Sequence, residues 1–274
     1  MNIGVIGTGN MGTLLVDAFV EAHAVNPSCF TIINRTATKA FHLKEKHPSI
    51  HIAATIKELI IRSDFILICV KPLEIYPILH QHADLFTKEK CLVSITSPVD
   101  VEQLQSVVAA NVARVIPSIT NRALSGISLC TFGHSCSEHW RTIIYTLFQS
   151  ISTPVEIEEE VTRVASDIVS CGPAFFSYLL QQFIQAAVCE TKITHEQATE
   201  LASGMLIGMG TLLEKNHFSL PSLQQQVCVK GGITGEGIQI MENELGDMFN
   251  HLFQRTQTKY EEDRQKIQKQ FKKS

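Results

Sequence analysis

The chain has 274 residues, 45% of them apolar and 18% charged; at roughly 150 residues per domain this is about two domains, and the composition excludes wholesale disorder. Lys and Arg number 23 against 27 Asp and Glu, a net charge of −4. That mild acidity excludes the basic footprint of a nucleic-acid or membrane-surface binder and favours small-molecule ligands.

Met1-Asn2 runs directly into Ile3-Gly4-Val5-Ile6, with no charged or apolar leader. The longest strongly apolar stretch, Phe65 to Val70, is far short of the roughly 18 residues of a membrane span, so a soluble, cytoplasmic protein is expected. From residue 1 to about 155, short β-branched runs alternate with longer amphipathic stretches: Ile3 to Ile6, Phe30 to Ile33, Phe65 to Val70, Leu92 to Ile95, Val112 to Ile116 and Ile127 to Thr131. Runs apolar on both faces suit parallel strands covered by helices on both sides. The prediction is an α/β fold, a doubly wound Rossmann sheet.

Gly7-Thr8-Gly9-Asn10-Met11-Gly12 follows the first strand and opens the first helix. This is the dinucleotide fingerprint: Gly7 for the tight turn, Gly9 for close approach of a pyrophosphate, Gly12 for helix–strand packing. The second strand ends at Asn34-Arg35-Thr36. No acidic residue stands there to hold a ribose 2′-hydroxyl, and Arg35, with Asn34, Thr36 and Lys39, offers donors for a 2′-phosphate; NADP(H) is expected over NAD(H). Val70-Lys71-Pro72 closes the most apolar strand at the end where such sheets bind ligands, so Lys71 either faces the cofactor or is exposed where the strand stops.

After Pro154-Val155-Glu156-Ile157 strand-like runs disappear and helical spacing takes over. Phe175, Phe176, Leu179, Leu180, Phe183, Ile184, Ala187 and Val188 form a stripe too wide for a surface helix, predicting a buried central helix. Gly204 and Gly208 allow close helix packing, within or between subunits. Glu158-Glu159-Glu160 are expected to open a helix, favoured there by its dipole. The tail from Gln254 is polar, carries +3 from Lys259 onward, and is expected to be a solvated, fraying end. The eight cysteines show no C-x-x-C spacing, so buried reduced thiols and no metal site are expected; Cys171 is expected to pack rather than react.

In their joint order, Gly7 to Gly12, Asn34-Arg35, Val70-Lys71-Pro72, Arg114-Val115-Ile116-Pro117, Cys171-Gly172-Pro173-Ala174-Phe175 and Gly231-Gly232-Ile233-Thr234 resemble the successive signatures of the pyrroline-5-carboxylate reductases, from Met1 to about Gln254. The variant forms are most similar to the family's divergent late-competence branch. The resemblance implies an NADP-binding Rossmann domain over residues 1–157 and an all-α domain over 158–274 that binds substrate and intertwines with a second subunit. It implies a homodimer or higher homo-oligomer that reduces a cyclic imino acid, pyrroline-5-carboxylate or a close analogue, with NADPH. The family's Ser-Pro-Gly-Gly-Thr-Thr loop reads Val229-Lys230-Gly231-Gly232-Ile233-Thr234 here. By that match Thr234 is the candidate catalytic hydroxyl and Val229, Lys230, Gly231, Gly232 and Ile233 are candidate substrate-binding residues, with the carboxylate site altered at Val229 and Ile233. Pro117-Ser118 and Val169-Ser170-Cys171 also depart from the family pattern. Two further readings stand beside the reductase: a non-catalytic dinucleotide-binding regulator, motivated by those departures, and a β-hydroxyacid-type dehydrogenase, for which Lys192 lacks the usual Asn partner.

Overall fold

The computed structural model describes residues 1–272. Eight strands form one sheet: β1 (Ile3–Ile6), β2 (Phe30–Ile33), β3 (His51–Ile52), β4 (Phe65–Ile68), β5 (Cys91–Ser94), β6 (Asn111–Ile116), β7 (Ile127–Phe132) and β8 (Thr153–Glu156). Their order is β3-β2-β1-β4-β5-β6-β7-β8, parallel throughout except for the antiparallel β6–β7 pair. The helices are α1 (Asn10–Glu21), α2 (Ala37–Lys46), α3 (Ile56–Arg62), α4 (Pro72–Gln81), α5 (Val101–Gln105), α6 (Glu138–Gln149), α7 (Thr162–Ser166), α8 (Gly172–Glu190), α9 (His195–Glu214), α10 (Leu220–Val227), α11 (Ile233–Leu245) and α12 (Met248–Phe271).

The period of two along each strand divides the core. Phe65 and Leu67 of β4, with Ile3 and Val5 of β1, face one apolar cluster that contains α1 and α6. Ile66 and Ile68 face the other, with Leu59, Ile75 and Leu104. Covered on both sides, the central strands need apolar residues at every position, and all four residues of β4 are fully buried. Two strands escape the sequence pattern. β3 has two residues, and β8 is an edge strand carrying Pro154, which edge pairing tolerates.

The chain divides into two compact units: residues 1–173 together with the chain from Phe253 onward, and Ala174–Leu252. The first contains the boundary expected near 157 and takes back the C-terminal helix. Here the structure corrects the expectation of a fraying tail. Ile267 of α12 is fully buried in the second apolar cluster, and Phe271 packs beside it. Tyr260, 6% exposed, donates its hydroxyl to the Ser97 carbonyl at 3.2 Å. Sparse apolar residues on one face suffice to dock a polar helix; Lys273 and Ser274 lie outside the described residues.

In the second unit, the expected buried central helix is corrected as well. Of the α8 stripe only Ile184 is buried, with Ala198 and Ala202 of α9. Phe176 and Phe183 are exposed, as are Leu201, Met205 and Ile207, and a side chain added at Gly204 or Gly208 would meet nothing within 4 Å. Three buried residues are few for this many helices, and much of the unit's apolar surface is left exposed. Among the described residues, no helix is long and apolar enough to cross a membrane.

Candidate functional site

The strand order reverses between β1 and β4, the switch point at which doubly wound sheets leave a crevice at their carboxyl ends. A 610 Å³ cavity opens there, lined by Gly7 and Gly9 from the β1–α1 turn, Asn34, Arg35 and Thr36 after β2, and Val70 and Lys71 after β4. Apolar walls from Ile33, Leu73, Pro77 and Ile78 complete it, the composition expected of a slot for a planar ring.

The three motif glycines are required for different reasons. Gly7 has φ +100°, and a Cβ on it would stand 2.7 Å from the Cys69 carbonyl oxygen. On Gly12 a Cβ would stand 2.1 Å from the Gly7 carbonyl oxygen. Both are therefore demanded by the fold itself. Gly9 is different: its φ is −76°, and a Cβ there would meet nothing within 4 Å. Nothing inside the protein requires glycine at that position. The space above it, at the N-terminus of a helix with no side-chain cap, is where a pyrophosphate would lie against free N–H groups. The residues present therefore fit a dinucleotide.

Asn34 holds this loop in shape. Its Oδ1 accepts from the Thr8 N–H at 3.0 Å and its Nδ2 donates to the Thr36 carbonyl at 3.0 Å. Arg35 reaches across the cavity to Glu74 of α4, Nη1 to Oε1 at 2.6 Å, a pairing 39 residues apart that the sequence does not announce. Glu74 also accepts from the Lys71 N–H. Lys71 stands at the N-cap of α4 and Pro72 at its first position, where a missing N–H costs nothing. Thr8 and Asn10 border a neighbouring 310 Å³ cavity. Met11 packs against the core, and Pro72 borders a third cavity. Cys69 lies behind the cradle, where burial pushes its thiol up to about 12 and keeps it protonated.

The third cavity, 510 Å³, lies beyond the ends of β4 and β5 and is lined by Ser97, Arg163, Asp167, Cys171, Thr256 and Tyr260, among others. Its wall is a π-helical turn, Asp167–Cys171, an irregularity often found at functional sites. Its cause is in the sequence. Pro173 has no N–H for the carbonyl four residues back, that of Val169, and Ser118 Oγ donates to that carbonyl at 2.8 Å. Ser170 Oγ in turn donates to the Pro117 carbonyl at 2.8 Å. Two signatures that drift from the family pattern thus bond to each other. Burial raises the Cys171 thiol and Arg163 only partly offsets it, so Cys171 is no activated nucleophile. Behind this wall, Arg114 is fully buried. It donates to Glu159 through Nη2 (2.7 Å) and Nη1 (3.2 Å), to Thr162 Oγ1 (2.7 Å) and Thr131 Oγ1 (3.2 Å), and to the Ser97 carbonyl (3.1 Å). Glu159 is thus the counter-charge of a core arginine.

In the second unit, Val229 to Gly232 form a turn closed by Gly232 N–H to the Val229 carbonyl at 2.9 Å. Gly231 has φ +73°, and Gly232 is the N-cap of α11 without a side-chain cap. The first N–H groups of α11, Ile233 and Thr234 included, therefore lack helical partners and present a positive end. Thr234 borders a 670 Å³ apolar groove with Met205, Leu212, Leu223 and Val227. Val229 is 68% exposed and Ile233 93%. Among the described residues no group of three His, Cys, Asp or Glu is placed to hold a metal ion.

Residues 2–98 match the family model "NADP oxidoreductase coenzyme F420-dependent" and residues 159–263 match "Pyrroline-5-carboxylate reductase dimerisation". The chain is 54% identical over 271 residues to ComE operon protein 4 of Bacillus subtilis (strain 168), covering 99% of each. It is 28% identical over 260 residues to pyrroline-5-carboxylate reductase 3 of the same organism, covering 94% of this chain and 95% of that protein. Among solved structures, the pyrroline carboxylate reductase of Plasmodium falciparum with NADP bound superposes with a TM-score of 0.82 at 19% identity, covering 97% of this chain and 98% of that one. Fold, ordered motifs and relatives agree: the chain belongs to the pyrroline-5-carboxylate reductase family, in the branch of ComE operon protein 4.

Proposed function

We propose that the chain is an NADP(H)-dependent reductase of a cyclic imino acid, converting pyrroline-5-carboxylate to proline or acting on a close analogue. The observation that carries this reading is Gly9, a glycine the fold does not need, set over open space at an uncapped helix N-terminus. NADP(H) is supported by the cationic end of β2, with Arg35 and Lys39 and no carboxylate of its own, by the family model over residues 2–98 and by the NADP named for the Plasmodium protein.

When bound, the reduced nicotinamide supplies a hydride to the imine carbon. The chain's own task is to hold the acid and favour charge on nitrogen, because an imine nitrogen that is protonated or hydrogen-bonded is the better acceptor and ends neutral. The family match gives the Thr234 hydroxyl the role of donor to that nitrogen. The N–H groups at the start of α11, the Gly231-Gly232 turn and Lys230 provide for the carboxylate, with Val229 and Ile233 as apolar neighbours. Thr234→Ala is expected to lower kcat/KM about a hundredfold with NADPH affinity unchanged; unchanged turnover in that variant would remove Thr234 from the reaction.

A second reading, a dinucleotide-binding protein without turnover, is favoured by one observation: the two hydroxyls of the family loop are replaced by the exposed Val229 and Ile233. Val229→Ser separates the two, since turnover gained from an inactive parent would locate the loss in this loop.

Homo-oligomerisation through the helical unit is supported by its dimerisation-model match and its uncovered apolar helices. Phe183→Asp is expected to shift the protein to monomer in sedimentation equilibrium; an unchanged assembly would exclude α8 from the interface.

A further inference from the structure

Resting on the NADP(H) reading above, we propose that the last turns of α12 are a brace for the cofactor cleft, in which Gln270 and Phe271 are positioning residues for α4, the helix that walls it. Leu73, Glu74, Pro77 and Ile78 of α4 all line the 610 Å³ cavity. The helix is flawed at that wall. Pro77 lies inside it and has no N–H to give the carbonyl four residues back, that of Leu73, while its ring crowds the same carbonyl. Gln270 supplies a donor in its place: its Nε2 reaches the Leu73 carbonyl at 3.3 Å, across 197 residues of chain.

Phe271, the next residue, sets its ring edge-on against Tyr76 of α4, with 4.9 Å between centroids, and packs against the second apolar cluster. α12 is anchored independently of these two contacts. Ile267 is fully buried in that cluster with Ile75 and Leu79 of α4, and Arg264 Nη2 donates at 3.3 Å to Oδ2 of Asp100, the N-cap of α5. The dimerisation model matches residues 159–263, and all four of these α12 residues lie beyond it. What the brace holds is the backbone of Leu73, whose side chain forms part of the cleft wall. Without Gln270 the first turn of α4 is free to follow the kink that Pro77 imposes, and the apolar wall moves off the ring it would flank. The brace thus sets cofactor affinity without touching the cofactor.

The test is equilibrium titration of the whole protein with NADPH, beside thermal unfolding, for the parent, Gln270→Ala, Pro77→Ala and the double variant, with Gln268→Ala, at an exposed position of the same helix, as control. Gln270→Ala is expected to weaken NADPH binding about tenfold at a temperature where it remains folded, and Gln268→Ala to leave binding unchanged. Alanine at position 77 restores an N–H for the Leu73 carbonyl, so Gln270→Ala is expected to cost less than about twofold in the Pro77→Ala background. Unchanged NADPH affinity in Gln270→Ala, whatever its melting temperature, would overturn the proposal and leave α12 a packing helix, while the NADP(H) reading stands. An equal loss in both backgrounds would overturn it too, since the bond to Leu73 would then not carry the effect. A parent that does not bind NADPH would overturn the underlying reading as well.

Discussion

Gly9→Val weakens NADPH binding by at least about a hundredfold, or about 3 kcal/mol at about 1.4 kcal/mol per decade, and leaves the melting temperature close to that of the parent. The expectation follows from the open space at Gly9. A Cβ there meets nothing within 4 Å, so stability is expected to be preserved, while the side chain occupies the volume where a pyrophosphate would approach the N–H groups of α1. Gly12→Val behaves in the opposite sense. Its Cβ would lie 2.1 Å from the Gly7 carbonyl oxygen, a backbone atom that cannot step aside, so this overpacking destabilises the fold by about 1–3 kcal/mol or more. Titration calorimetry paired with thermal unfolding separates the two. Tight NADPH binding by Gly9→Val would mean that the cradle is not over Gly9.

Arg114→Ala is expected to destabilise the first unit by about 3–5 kcal/mol, the cost of breaking a buried pair from one side. Arg114 is fully buried, yet it has few alternatives to what it does. Five of its hydrogen bonds tie β6 to β7, to the turn after β5 and to the start of α7. Removing it leaves the fully buried Thr162 hydroxyl and the Ser97 carbonyl without this partner, and creates a cavity the size of a long side chain. Arg114→Met fills that volume, and Glu159, whose side chain is 33% exposed, turns to water; this variant is expected to lose less. Urea unfolding of both measures the difference. A loss below about 1 kcal/mol for Arg114→Ala would show that these bonds are not needed for the fold.

The parallel strands were legible because burial on both faces leaves a continuous apolar signature, as in Phe65-Ile66-Leu67-Ile68, and the glycine cradle because two of its three glycines, Gly7 and Gly12, are backbone requirements at a fixed spacing. Features that depend on distant partners were not. The Arg35–Glu74 pair joins residues far apart in the chain, and the acidic run read as a helix start does open a helical turn over Glu159–Val161 but also supplies Glu159 as the counter-charge of the buried Arg114. α12 looked like a fraying tail because the few residues that dock it, Tyr260 and Ile267 among them, are diluted by charge. α8 read as buried because its composition is that of a covered helix, whereas within this chain Phe176 and Phe183 stay exposed. At the loop over 229–234, spacing alone gave Thr234 no role; only the family motif singled it out, and Val229 and Ile233 mark where that motif has changed.

The most direct measurement of the central claim is NADPH oxidation by the parent protein with pyrroline-5-carboxylate, followed by loss of nicotinamide absorbance, beside a binding titration on the same preparation. The account predicts saturable, imine-dependent oxidation by a protein that binds NADPH. Tight NADPH binding with no oxidation for pyrroline-5-carboxylate or its close imino-acid analogues would contradict it and leave a cofactor-binding protein without turnover.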